Sequence, residues 1–223
     1  VLVNAELPGW FYHAAAIARL VPLVKTGSTE PTGGVGPAHG GPDVRPVAVG
    51  ETEVRAVTRH ITDAVLERAG EVLSPQQLAV GVKGGASLLV HGVRMLLEQH
   101  PAFVVVRMDL ANAYNAISRV VVLRRMSQRP EFAHLVPVLH ALWGAGTHLV
   151  VGADQRRLFG DASARADSAE GVQQGCPLSS LAFAVGVHPE LQGLDRELAP
   201  FGGVARAIMD DVYAVGPPSI VFP

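Results

Sequence analysis

The sequence predicts an α+β protein, and three patterns predict it. Stretches with helical periodicity separate short β-branched runs. Those runs do not alternate with helices regularly enough to build a parallel βαβ series. At least one pair of them reads as a hairpin.

In chain order, residues 10–24 (WFYHAAAIARLVPLV) are apolar and read as a helix ending near Pro22. Residues 26–43 hold six glycines and three prolines, a composition that suits neither helix nor strand interior, so a long loop is expected there. RPVAVG (45–50) reads as a short strand. From Glu51 to Ala69, Val54, Val57, Ile61, Ala64, Val65 and Leu66 recur at helical spacing, with Gly70 placed as a C-cap. Leu88, Leu89, Val93, Leu96 and Leu97 repeat that spacing over 84–99, and Pro101 closes the helix. FVVVRMDL (103–110) reads as a buried strand. Residues 116–128 read as a helix whose arginines, Arg119, Arg124 and Arg125 with Arg129 beyond, face either template phosphates or plain solvent. Another helix is expected over 131–143. THLVVG (147–152) is expected to pair with a stretch near 156–159. Residues 178–199 read as a helix with a break at Pro189, and 204–216 as two strands joined at Asp210-Asp211.

The composition bounds the rest. The chain has 223 residues, 48% of them apolar, enough for one large domain or two small ones. No apolar run approaches the ~18 residues of a membrane span, so no membrane partner is expected. VLVNAELPGW lacks a signal-peptide pattern. The single cysteine, Cys176, excludes an internal disulfide framework and a multi-cysteine zinc site. A soluble intracellular protein is the expectation. The net charge is −2; residues 1–129 carry 13 Lys/Arg against 10 Asp/Glu, and residues 130–223 carry 5 against 10. A basic half for phosphates and an acidic half for metal would read this way, and so would chance.

Two acidic sites carry candidate chemistry. Asp109 ends an apolar strand, a position that holds a ligand rigidly, yet such an Asp also caps a following helix. Asp210-Asp211 sits among Ala207, Ile208, Met209, Val212 and Tyr213. A plain turn explains the pair. So does a hard divalent cation, which relieves the repulsion of two carboxylates in apolar surroundings. Were Asp109 and Asp210 to converge, they would suit two ions for in-line phosphoryl transfer. GVKGGAS (81–87) lacks the Gly-Lys-Ser/Thr ending of a phosphate loop and reads as a loop feeding a helix. His134, His140 and His148 lack the i,i+4 spacing of a helical metal pair, and Cys176 has no evident catalytic companions.

These residues, taken together, resemble the reverse transcriptases, in particular those of non-LTR retrotransposons. RMDLANAYN (107–115) is similar to the family's first catalytic motif. EGVQQGCPLSSLAF (170–183) resembles the pattern GxxQGxPLSPLLF, with Ser180 in place of a proline. AIMDDVYAV (207–215) resembles the xxDD hairpin, with Ile208 where many relatives have an aromatic residue or alanine. RPVAVG and the GGAS stretch at 84–87 add two weaker matches.

The resemblance implies a polymerase right-hand fold: an antiparallel palm sheet backed by helices, partial fingers and no thumb. It places fingers in 1–100 and palm in 101–223, within a longer parent polypeptide that supplies thumb or downstream domains. It implies RNA-directed DNA synthesis from a DNA primer, an RNA template and dNTPs, and a nuclear location. Asp109, Asp210 and, less directly, Asp211 would be catalytic and hold two Mg²⁺ ions, with Mn²⁺ able to substitute. Tyr114 would exclude a 2′-hydroxyl, Gln174 and Gly175 would lie against nucleotide and template base, and Lys25 and Arg45 would hold the triphosphate. An inactive remnant of such a domain, a scaffold or nucleic-acid-binding domain with no catalysis, and an RNA-copying RNA polymerase are the alternatives.

Overall fold

In the computed structural model, which describes residues 6–24, 44–144, 147–151 and 165–222, the strand-forming runs separate into two sheets. The chain divides into two units, each discontinuous: Val1–His60 with Ala111–Ser179, and Ile61–Leu110 with Ser180–Pro223. The two units therefore interleave along the chain.

The first unit carries α1 (Gly9–Ala15), β1 (Ala18–Val24) and β2 (Val44–Gly50). It also carries α4 (Ala113–Ala116), α5 (Arg119–Ser127), α6 (Val136–Trp143), β4 (Thr147–Val151) and β5 (Arg165–Ser168). Its sheet runs β2-β1-β4-β5. Residues 10–24 are thus not one helix. The helix stops at Ala15, and ARLVPLV becomes a strand antiparallel to β2 and parallel to β4. Short apolar runs serve either state, and pairing decides between them. Pro22 is tolerated because β4 contacts only Ala18–Leu20, and on the other side Pro22 faces Pro46. Two residues without N–H groups fit only a non-hydrogen-bonded pair.

β4 pairs with β5; the stretch near 156–159 lies outside the described residues. The arginine face is also corrected. α5 buries Arg119 together with Val122 and Met126, at i, i+3 and i+7, so the first arginine of the group points into the unit. Phe132, Leu135, Val138, Leu139 and Trp143 are likewise buried; the helix expected over 131–143 begins only at Val136, after a 3-10 turn at Ala133–Leu135.

The second unit carries most of α2 (Thr52–Leu73), then α3 (Gly85–Gln99) and β3 (Val104–Asp109). It continues with α7 (Leu178–Leu198), β6 (Val204–Ile208), β7 (Asp211–Gly216) and α8 (Pro218–Val221). Its sheet runs β3-β7-β6, antiparallel throughout. Side chains alternate across a strand, so Ala205, Ala207, Val212 and Ala214 share one face and are all buried. Leu191 and Leu198 of α7 pack there, with Val187 and Leu194 beside them. Each such leucine contributes about 1.5–3 kcal/mol by leaving water.

Two further expectations change. α7 continues through Pro189 without a break, its first turns buried nearly all round from Leu181 to Gly186. Tertiary burial outweighs the one hydrogen bond a proline removes. α2 passes Gly70 and ends at Leu73. Gly70 is a close-approach residue and not a cap: a Cβ there would lie 2.5 Å from the Gly81 carbonyl oxygen.

Candidate functional site

The acidic residues meet through strand register. β3 and β7 pair so that Asp109 lies directly across from Asp211, and the Leu110 N–H donates to the Asp210 carbonyl at 3.3 Å. The turn that joins β6 to β7 is Met209-Asp210; Asp211 already belongs to the strand. Asp109 is exposed, and Asp210 and Asp211 are half-buried. Asp109 does not cap a helix: Asn112 is the N-cap of α4 and Ser118 that of α5.

The repulsion expected within the Asp-Asp pair is met by a cation of the protein itself. Arg107 Nε and Nη2 both donate to Asp211 Oδ1, at 3.0 and 2.7 Å. Arg107 sits two residues before Asp109, on the same face of the sheet. Hydrogen bonding to Asp211 and its negative charge hold this guanidinium even more firmly protonated than usual. Arg107 is largely exposed, 61% by side chain, against 33% for Asp211, so the pair orients Asp211 more than it stabilises the fold.

Among the described residues no three His, Cys, Asp or Glu side chains gather as a metal-binding cluster. The donors still fit a hard cation. Mg²⁺ takes oxygen ligands and is commonly held by one or two carboxylates together with substrate phosphates and water. Asp109 and Asp210 supply two carboxylates, while Asp211 is turned to Arg107.

The connecting turn is unusual. Met209 has φ 57°, a left-handed conformation rare for a side chain of that size. Gln77, fully buried, brackets it: Oε1 accepts from the Met209 N–H at 2.9 Å, and Nε2 donates to the Met209 carbonyl at 3.1 Å. Gln77 stands on the short segment beside β6, where Ala207 N–H donates to Gln76 O and Leu78 N–H donates to Ala207 O. Asp195 fixes the same edge, accepting from Ala205 N–H, Arg206 Nη1 and Gln76 Nε2. Burial pushes the Asp195 carboxyl up, but these three donors together outweigh it and hold it below its ordinary value.

The other sequence-predicted residues lie in the first unit. Val172 N–H donates to the Tyr114 carbonyl at 2.7 Å, and Gly171 N–H to Ile117 O at 3.0 Å, so the motifs around 107–115 and 170–183 join there by backbone. The Gln174 carbonyl accepts from Ala48 N–H of β2 at 2.7 Å. Gly175, at φ +110°, presses its Cα toward Ala48; a Cβ would lie 2.4 Å from the Ala48 oxygen. Only glycine fits both demands. Arg45 occupies β2 opposite Leu23. Lys25 lies outside the described residues. A cleft of about 260 Å³ beside this segment is lined by Ala48, Asn115, Gln173 and Gln174 together with Asp167 and Glu170. Those two carboxylates make it a poor seat for a triphosphate.

Sequence reasoning missed three residues. Arg119 is 5% exposed and spends its guanidinium on Gly171 O, Trp143 O, Ser168 O, Ser168 Oγ and Glu170 O, at 2.7–3.2 Å. Burial pushes its pKa down, with Glu170 opposing. Its helical phase with Val122 and Met126 was the available signal. Gln77 and Arg107 had none, because their partners are brought together by tertiary structure. Cys176 is half-buried, and desolvation pushes its thiol pKa up against hydrogen bonds that lower it, so it is no ready nucleophile.

No protein-family model matches the sequence, and no curated protein matches it. Solved structures do match the fold. The chain has the right-hand architecture of the nucleic-acid polymerases, an α+β fold with an antiparallel palm sheet backed by helices. Apo telomerase from Candida tropicalis, truncated of its C-terminal domain, superposes with a TM-score of 0.61 at 9% identity, over 93% of this chain and 45% of that one. Candida albicans telomerase, in complex with a fragment of telomeric RNA, gives 0.57 at 11% identity, over 97% of this chain and 39% of that one. The chain thus spans less than half the length of these relatives in fold. No helix among the described residues is long and apolar enough to cross a membrane.

Proposed function

We propose that the chain is the fingers-and-palm part of an RNA-directed DNA polymerase of the non-LTR retrotransposon kind. The observation that carries this reading is the register seating Asp109 across from Asp211, with Asp210 in the adjoining turn, in a right-hand polymerase fold. Asp109 and Asp210 would hold the Mg²⁺ ions, for which Mn²⁺ would substitute. Bound there, the ions would neutralise charge on the transferred phosphoryl group and the leaving pyrophosphate.

The remaining work belongs to the protein's own side chains. Arg107 keeps Asp211 oriented beside the pair. Tyr114 excludes the 2′-hydroxyl and so selects dNTPs. Gln174 and Gly175 support the nucleotide and the template base, the glycine because its bare Cα lets the segment press against β2. Lys25 and Arg45 would meet the triphosphate. The partners are an RNA template and a DNA primer in a longer parent polypeptide, and the expected location is nuclear.

The test is extension of a DNA primer on RNA with dNTPs and Mg²⁺. Asp109→Asn and Asp210→Asn should each reduce the rate by about 10³-fold or more while the protein stays folded. Extension by Asp210→Asn at the wild-type rate would overturn the reading. A wild type as inert as the variants would mean a non-catalytic remnant.

A further inference from the structure

We infer that Gln77 is a positioning residue for metal binding, because it holds the Met209-Asp210 turn in its left-handed form. The inference rests on the proposed role of Asp210 as a ligand and extends it to a residue outside the carboxylates. Asp210 is carried by a turn that its own sequence disfavours. Met209 sits at φ 57°, where a flexible side chain gives no help. The neighbouring strands fix the ends of the turn but leave the two backbone polar groups of Met209 without ladder partners. The Gln77 amide satisfies both at once, and its Oε1 also accepts from Ala79 N–H at 3.2 Å. Its side chain is completely shielded from solvent, so water cannot replace it without opening the segment.

The amide group has the chemistry this task requires. A carboxylate accepts but cannot donate to the Met209 carbonyl; a hydroxyl on a shorter side chain does not span both groups. Gln77 is in turn held in place by the backbone bonds of Gln76 and Leu78 to Ala207. The aim of the Asp210 carboxylate is therefore set from a segment 132 residues earlier in the chain.

The experiment compares wild type, Gln77→Met, Met209→Gly and the double variant. Two readouts are used: Mn²⁺ affinity by calorimetry, and hydrogen exchange at the Met209 amide. Gln77→Met should speed exchange at Met209 and weaken Mn²⁺ binding about 10- to 100-fold, the range for groups that orient metal ligands. Glycine adopts positive φ freely, so Met209→Gly should restore most of the lost affinity in the double variant. Gln77→Glu, which keeps the acceptor and deletes the donor, is the second variant should Gln77→Met not fold, with a smaller loss of about 3- to 10-fold expected. Unchanged affinity in the variant, with or without faster exchange, overturns the inference while leaving the metal site standing. An affinity loss that Met209→Gly does not relieve also overturns it, since a merely structural role would give that pattern. A wild type that binds no Mn²⁺ overturns the polymerase reading and this inference with it.

Discussion

Replacing Arg119 by methionine should come close to unfolding the first unit. The guanidinium is 5% exposed and makes five hydrogen bonds, four of them to backbone carbonyls of Trp143, Ser168, Glu170 and Gly171. Hydrogen bonds from a charged donor are worth about 1.5–3 kcal/mol each, but these are not additive, and burying the cation already offsets part of the gain. The loss that matters is of acceptors left unpaired. Methionine fills similar volume and bonds to none of them. Comparison with broken buried charge pairs gives about 3–5 kcal/mol. Against a total stability of about 5–15 kcal/mol that is a large fraction. At roughly 2–4 °C per kcal/mol for a chain of this size, the melting temperature should fall by about 6–20 °C. Urea unfolding followed by circular dichroism measures the difference. Arg124→Met on the exposed side of the same helix is the control, with a change within about 0.5 kcal/mol. Arg119→Lys should recover little, since one ammonium cannot reach carbonyls spread over this segment. An Arg119→Met protein as stable as the control would refute the structural role and return Arg119 to the phosphate-facing group.

Gly81→Ala should destabilise by more than about 2 kcal/mol, because its Cβ would add the left-handed penalty to a clash; the residue has φ +72° and the Cβ would lie 2.0 Å from Leu66 O. Gly92→Ala, with open space around its Cβ in α3, should stabilise by about 0.5–1 kcal/mol. Thermal melts read both signs. Asp195 has a folded pKa below its ordinary 3.8, so its contribution is complete above that value and is lost as pH falls through the folded one. Asp195→Asn should therefore cost about 1–2 kcal/mol near pH 7 and flatten the acid limb of the stability curve. A variant that keeps the wild-type acid limb contradicts this.

The palm elements were legible because local pattern and tertiary use agree in them. FVVVRMDL is β-branched enough to be a strand anywhere, but it is not the buried strand its composition suggests: Val104–Val106 are half-buried and Arg107–Asp109 exposed. The 204–216 hairpin alternates small apolar residues on the face that meets α7. Residues 18–24 were misread because ARLVPLV is ambiguous until β2 and β4 flank it, and the sequence does not reveal those neighbours. Pro189 pointed to a break because its cost is local and visible, whereas the burial that outweighs it is spread over Leu181–Gly186. The placement of Asp109 across from Asp211 needed a register that no spacing encodes. Gln77 was hidden for a deeper reason. A buried polar side chain serves backbone groups, and every residue type offers the same backbone.

The interleaving of the two units bears on how the chain is made. β3 leaves the ribosome about a hundred residues before β7, the strand that lies against it. At about 5–20 residues per second, VVVRMD waits some 5–20 s of synthesis for its partner. Throughout that interval a β-branched edge is open to pairing with another nascent chain. Early translational pausing or a chaperone that covers this edge would favour the native pairing, and cutting the gene between residues 110 and 180 would leave the strand permanently orphaned.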